Sequence, residues 1–423
     1  MKTRTVISVI LLCCFCFAFA SCGKTDIAPS AQLAAGDLMK DIKANDVAGK
    51  PADDAFVSVH DDFAAKLLQA AFARSGGKNV LVSPLSVTLA LAMTANGAKG
   101  ETLAEMEKLL GGEMDVKALN EYLKHYVSNL YSGENCKLNV ANSIWFREGL
   151  SVLRAFLQTN ADYYGASAYE EPFDNNTLNA INGWVKEHTD GMIEKIIDDI
   201  NPDSVMFLIN AIVFDAKWDK RYEEGDVSKR PFTKADGTVL EGCEFMQSLE
   251  KEYIEYNGAR GFKKQYSGGR YSFAAVLPPE NVSVSEYAAS LDGKTLAALL
   301  GSAQSSMVKA YLPKFTFDYE IKLKETLAAM GMPSAFNPAA ADFSGIADGP
   351  SLCIGEVIHK THIEVDADGT KAAAVTAVDI RAEGMAIEPP DIRTVDLNRP
   401  FVFMILDNNT DLPVFIGAVT SPD

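Results

Sequence analysis

A mixed α/β fold held in one large domain is the class this 423-residue sequence predicts, and three observations lead to it. Helix-like and strand-like segments interleave from about Val59 to Asp423 without a second linker, so a split into ordinary-sized domains has no boundary to use. Val205 to Trp218, VMFLINAIVFDAKW, is a nearly unbroken apolar run suited to a strand buried on both faces. In Glu364 to Glu388, Thr370, Ala372, Ala374, Thr376, Val378 and Ile380 would share one uncharged strand face. Lys371, Asp379 and Arg381 fall on the other.

The chain opens with MKTRTVISVILLCCFCFAFASC, a basic head, an apolar middle and a small-residue exit at Ala20 and Ser21. This predicts an export signal over residues 1–21. Phe19-Ala20-Ser21-Cys22 reads as a lipoprotein processing site that leaves Cys22 as a lipid anchor, although Phe19 departs from the leucine usual there. The protein is then expected to be exported and lipid-anchored to a bacterial outer membrane, on its periplasmic or surface face; plain secretion after Ser21 is the alternative. Formal charge is −18, and losing Lys2 and Arg4 takes it to about −20, which argues against nucleic acid and leaves the membrane as a partner only through the lipid. Cys13, Cys14 and Cys16 leave with the leader. Cys136, Cys243 and Cys353 are too few and scattered for a disulfide framework or a zinc site, and read as buried thiols.

Residues 22–58, Ala/Asp/Lys-rich with Pro29, Gly36, Gly49 and Pro51, predict a flexible tether, and residues 59–423 the folded domain. Asp61 and Asp62 lead into Phe63, Leu67, Leu68 and Phe72 at helical spacing. Asn79-Val80-Leu81-Val82-Ser83-Pro84-Leu85-Ser86 reads as a strand running into a helix, with Ser83-Pro84 as its start. Leu138 to Arg147 alternates like a strand. Gly369 precedes the alternating run and is free to take backbone angles closed to other residues. Gly384, Pro389 and Pro390 follow it as exposed loop. The segment therefore combines a pivot, a strand-competent stretch and a protease-accessible tip.

Enzyme chemistry is not written into this chain. There is no GxSxG elbow, HExxH helix, Walker loop or GxGxxG turn. His359 and His362 would point to opposite faces of a strand and share no metal. Glu364, Asp366 and Asp368 would share a face, but a solvated acidic edge explains them better than a cation site. A lone His359 in an apolar strand is ordinarily a satisfied core residue. No metal or cofactor is predicted.

Several of these segments, in order, resemble the serpins. Asn79-x-x-x-Ser83-Pro84-x-Ser86 is similar to the family's opening motif, and Gly97-Ala98, Trp184, Trp218, Leu312-Pro313, Ala341-Asp342-Phe343-Ser344-Gly345, His359-Lys360, Arg399-Pro400-Phe401 and Phe415-Ile416-Gly417 fall where the family has them. Gly369, Thr370, Lys371, Ala372, Ala373 and Ala374 resemble its small-residue hinge, with Lys371 where an acid is common. The resemblance implies a large central β-sheet, surrounding helices and an exposed reactive-centre loop over about 366–396. It also implies a helix over Ile181 to Ile197 and a sheet-opening cluster of Ser83, Ser86, Asn210, His359 and Trp218, the last near the point where the loop inserts.

What the resemblance implies for function is a monomeric inhibitor of serine proteases, with cysteine proteases as a further class, that works by suicide cleavage, loop insertion and covalent trapping. Counting from the hinge places the reactive bond at Glu383-Gly384, with Arg381, suited to trypsin-like enzymes, Ala382, suited to elastase-like ones, and Met385, suited to elastase- or chymotrypsin-like ones, as neighbouring candidates. Residues from Gly369 to Pro400 outnumber those of the usual loop, so the extra length would follow the cut. A non-inhibitory serpin acting as a carrier is the alternative. Glycosaminoglycan activation is not expected, because Glu121 to Tyr131 offers only Lys124 and His125 as basic side chains.

Overall fold

The computed structural model describes residues 36–201, 204–349, 352–370 and 392–423. Cys22, Lys371 to Ala374, and Arg381 to Met385 lie outside these ranges.

Helix α1 (Asp54–Arg74) begins earlier than the acidic pair Asp61-Asp62 suggested, because the Asp53 carboxylate accepts the Phe56 N–H and caps it. The chain before it is no loose tether. Leu38 N–H donates to Ala168 O at 2.9 Å, Glu170 N–H to Gly36 O at 2.7 Å, and Lys50 N–H to Glu121 O at 2.9 Å. Asn45 binds the Asp162 carboxylate through its backbone N–H (2.7 Å) and side-chain amide. The flexible segment expected through residue 58 is thus laid along the domain from Gly36 onward, where its few apolar side chains, Leu38, Met39 and Ile42, meet the core.

Strand β1 (Val80–Val82) leads into α2 (Pro84–Ala95), capped by Ser83 with Pro84 in the first turn. α3 (Gly100–Gly111) and α4 (Val116–Ser128) follow. β2 (Cys136–Arg147) matches the expected alternation, then come β3 (Ser151–Val152), α5 (Arg154–Tyr164) and β4 (Ser167–Glu171). α6 (Asn175–His188) has a reciprocal Asp174/Thr177 cap. It stops short of the helix expected to reach Ile197: Gly191 takes φ +79°, and residues 192–200 run irregularly while Asn182 accepts the N–H groups of Ile196 (2.8 Å) and Ile197 (3.1 Å).

β5 (Met206–Lys217) is the expected apolar strand. Next come β6 (Val227–Thr233), β7 (Val239–Tyr256), β8 (Ala259–Gln265), β9 (Tyr271–Leu277), α7 (Val284–Ser290) and α8 (Gly293–Gly301). β10 (Gln304–Pro313), β11 (Phe315–Lys322), α9 (Lys324–Met330) and β12 (Ala347–Asp348) lead to β13 (Ile358–Val365) and the two-residue β14 (Gly369–Thr370). β15 (Arg393–Asp396), β16 (Phe401–Asp407) and β17 (Leu412–Val419) complete the order.

The strands form a nine-stranded sheet, β1-β17-β16-β9-β8-β7-β10-β15 with β6 on β7; a six-stranded sheet, β11-β13-β14-β5-β2-β4; and the pair β12-β3. The main core lies between the two large sheets, where Phe214 meets Tyr266, Tyr271 and Phe415. Ile209 and Ala211, on the opposite register of β5, join Trp145, Trp184 and Ile193 beneath α6. Strand β5 is therefore apolar in both registers because each of its faces is covered. Cys136 is buried, whereas Cys243 and Cys353 are only half-buried, correcting the expectation of three buried thiols.

Candidate functional site

At the end of β13 the chain makes a tight turn and re-enters the same sheet. Asp366 Oδ1 accepts the N–H groups of Asp368 (2.8 Å) and Gly369 (3.0 Å), and Asp366 N–H donates to Gly369 O at 3.0 Å. Asp366 and Asp368 therefore belong to a turn and do not share a strand face with Glu364. Among the described residues no group of acids, histidines or cysteines could hold a metal.

Trp218, just past β5, fastens this turn twice, donating from its backbone N–H to Asp368 O (3.0 Å) and from its indole Nε1 to Asp366 O (2.9 Å). Tyr222 N–H donates to Ala367 O at 3.0 Å, and Arg221 pairs with Asp368 at 3.3 Å. Below Trp218, Lys264 is buried against Glu250 at 2.9 Å with its ammonium 4.3 Å from the Tyr222 ring centroid; burial lowers its pKa, opposed by the carboxylate.

Gly369 and Thr370 are already seated in the sheet. Gly369 pairs with Lys217 and Thr370 with Ala216 on β5, while Thr370 also pairs with Val365 on β13. A Cβ on Gly369 would lie 2.1 Å from Ala216 O and 2.7 Å from Lys217 Cα. Glycine is needed here for close approach between strands rather than for unusual dihedral angles, a correction to the sequence expectation. The hydroxyls of Thr370 and buried Tyr266 are 2.6 Å apart, and the Tyr266 ring stacks on Trp218 with centroids 4.5 Å apart. Among the described residues, β14 alone stands between β13 and β5. Beyond Thr370 that seam is flanked by Ile212, Phe214 and Ile363.

Farther along β5 lies a polar cluster. Ser83 N–H donates to His359 Nε2 at 2.9 Å, and Ser83 Oγ donates to Val414 O at 2.8 Å while accepting the Ser86 N–H at 3.2 Å. Ser86 Oγ donates to Asn210 Oδ1, and the Asn210 amide donates in turn to Asn142 Oδ1. Asn142 Nδ2 reaches Tyr164 O at 3.3 Å. Accepting at Nε2 requires His359 to be unprotonated there, and full burial, which disfavours the imidazolium, pushes its pKa down to about 4. His362 faces the other way and pairs with Asp318.

The structure thus brings together Ser83, Ser86, Asn210 and His359, but not Trp218. Trp218 follows Asn210 by eight residues, about 27 Å along an extended strand, and serves the hinge turn instead. Asn142 went unnoticed in the sequence, although a polar residue in the inward register of the Leu138–Arg147 alternation was its signal. It stands opposite Asn210 in the β2–β5 ladder. Tyr266, Lys264 and Glu250 carried no local signal.

Comparison with known proteins fits this architecture. Residues 58–422 match the family model for Serpin (serine protease inhibitor). An uncharacterised serpin-like protein of Thermococcus kodakarensis is 33% identical over 81% of this chain and 81% of its own. The thermophilic serpin tengpin in its native state superposes with a TM-score of 0.85 at 48% identity, covering 91% of this chain and 99% of that one; its latent state gives 0.79 at 46%, covering 89% and 100%. Human thyroxine-binding globulin, solved with thyroxine, gives 0.78 at 25%, covering 87% and 98%. With the ordered motifs, the two sheets and the seated hinge all in agreement, the chain belongs to the serpin family.

Proposed function

We propose that this serpin inhibits serine proteases, with cysteine proteases as a second target class, through one suicide event per molecule. The observation that carries the reading is the position of Gly369 and Thr370, paired at the head of a seam that no other described strand bridges. The face that would follow them, Ala372, Ala374, Thr376, Val378 and Ile380, has no charge to obstruct insertion.

The target's own nucleophile supplies the chemistry. Its serine Oγ attacks the carbonyl of Glu383, the bond to Gly384 breaks, the Gly384 amine takes a proton and leaves, and the chain ending at Glu383 stays on the protease as an ester. Insertion then competes with hydrolysis of that ester. Continued in the register of Thr370 with Ala216 and Val365, the strand would set Thr376 opposite both Asn210 and His359 and Val378 opposite Leu208. Thirteen residues at ~3.4 Å each span about 44 Å, enough to carry a tethered enzyme from one pole of the domain to the other. The cluster of Ser83, Ser86, Asn210 and His359 lies on this path, and its role is to resist or permit parting of β13 from β5. Export with a lipid on Cys22 would place the inhibitor at a bacterial envelope.

The likeness to thyroxine-binding globulin supports a second reading, a non-inhibitory carrier. One experiment separates them. The chain is incubated with a panel of serine proteases, covalent complexes are sought on a denaturing gel, the released fragment is identified by mass spectrometry, and thermal unfolding is compared before and after nicking. An inhibitor gives a gel-stable complex and a marked rise in Tm on nicking. A chain that is merely cut, with the same transition before and after, refutes the inhibitor.

A further inference from the structure

The outer face of the sheet that anchors the far end of the loop is unusual for so acidic a chain. Strands β7, β10 and β15 lie side by side, and Leu249, Lys309 and Thr394 form one cross-strand row, with Gln247, Tyr311 and Asp396 forming the next on the same face. The alternate residues Val308, Ala310 and Val395 turn inward and are buried. On the outward side Leu249 is 53% exposed, and Ile392, immediately before β15, is 44% exposed.

This face is also locally positive. The Arg230 guanidinium lies 3.9 Å from the Tyr311 ring centroid and is neutralised by Asp396. Lys251 and Lys309 meet no carboxylate in an ion pair among the described residues; Lys309 leans over Tyr311 at 5.4 Å. Of the neighbouring acids, Glu250 is paired with Lys264 and Glu244 with Lys314, while Glu252 keeps its charge and accepts the Gln265 amide. Two exposed apolar side chains beside two unpaired ammonium groups form a patch that water alone does not explain in a chain of net charge −18.

We infer that Leu249, Lys251, Lys309 and Ile392 form a secondary docking surface for the target protease, and that the protease presents an acidic, partly apolar surface beside its active-site cleft. The inference rests on the inhibitor reading and names its partner more closely. Continuity with the loop selects this occupant. Ile392 is the described residue closest in sequence to the candidate bonds at 381–385, and the intervening chain spans at most about 40 Å when extended. A protease engaged on the loop therefore lies within reach of this face. Opposite charge across such a rim accelerates encounter more than it strengthens the final complex.

The test uses the full chain and whichever protease forms a gel-stable complex in the panel. The second-order rate of complex formation is measured for wild type, for Lys251→Glu/Lys309→Glu and for Leu249→Ser, at about 0.05 M and about 0.5 M salt. The double variant is expected to react about tenfold more slowly at low salt and to lose the salt dependence, while the ratio of complex to cleaved chain stays that of wild type. Leu249→Ser is expected to slow the reaction at both salts. Unchanged rates and salt response in variants whose melting matches wild type overturn this surface while leaving the inhibitor intact. A wild type that forms no complex with any protease overturns the inhibitor reading, and this inference with it.

Discussion

Replacing Thr370 with arginine tests the loop-insertion reading most directly. Thr370 is 2% exposed, its hydroxyl 2.6 Å from that of Tyr266, which stacks on Trp218 and is itself buried. Among the described residues no carboxylate is hydrogen-bonded to Thr370 or Tyr266, so a guanidinium there would be a buried charge without a partner, at about 3–5 kcal/mol. Because Thr370 is seated before the cut, this cost should first drive the substituted hinge out of the sheet; insertion, which must bury the guanidinium again, would then slow by about 10²–10⁴-fold, at about 1.4 kcal/mol per tenfold. Hydrolysis of the acyl-enzyme depends on the protease and is unaffected. The variant should therefore be cut and released as a substrate. Thr370→Val introduces no charge and can stay seated; the unpaired Tyr266 hydroxyl, at about 1–3 kcal/mol, then weighs equally before and after insertion, so the yield of complex should stay near wild type while the melting temperature falls. The assay is the fraction of covalent complex against cleaved chain on a denaturing gel. If Thr370→Arg gives the wild-type yield of complex, insertion through this seam is not what traps the protease.

Further predictions concern pH and location. Asp61 is 3% exposed with Oδ1 unpartnered, and desolvation, then the nearby Asp411 and Asp62 charges, raise its pKa from 3.8 to about 7. A raised folded-state pKa means that its contribution is fully present below pH 3.8 and is lost as pH rises through about 7; three pKa units are worth about 4 kcal/mol. Asp61→Asn should accordingly melt higher than wild type at about pH 8, with the gap closing towards about pH 4; an equal gap at both refutes the assignment. His359 has the opposite sign. Its pKa is lowered by burial from 6.5 to about 4, so its stabilisation is present above 6.5 and is lost as pH falls through about 4. His359→Gln should flatten the acid limb of the stability profile, leaving the similar contribution of buried His60; an acid limb as steep as wild type would remove His359 from the account. On the proposal that the chain is exported with a lipid on Cys22, Cys22→Ser should move it from the membrane fraction to the soluble one, and no shift on fractionation would rule out the anchor.

The sequence reading of the hinge rests on composition and parity, and the contacts made by Gly369 and Thr370 were beyond it. The alternation from Thr370 to Ile380 is visible because side-chain direction on a strand depends only on parity. That Gly369 and Thr370 are paired already, and that a Cβ at Gly369 would collide with Ala216 O, depends on a strand more than 150 residues earlier in the chain. The tether expected over residues 22–58 hid its packed part for a related reason. Residues 36–53 have too few apolar groups to signal a folded segment, and what holds them is backbone pairing with β4 and the carboxylate of Asp162.

Taken alone, the sequence determined the family, the mixed α/β class and the apolar double register of β5, since periodicity and ordered motifs are properties of neighbours along the chain. Tertiary structure decided the rest: the double fastening of the hinge turn by Trp218, the Thr370–Tyr266 contact, the place of Asn142 in the cluster and the Lys264–Glu250 pair. These depend on strands brought together from distant parts of the chain, and a hydrogen bond or ion pair across such a gap leaves no local pattern in either partner.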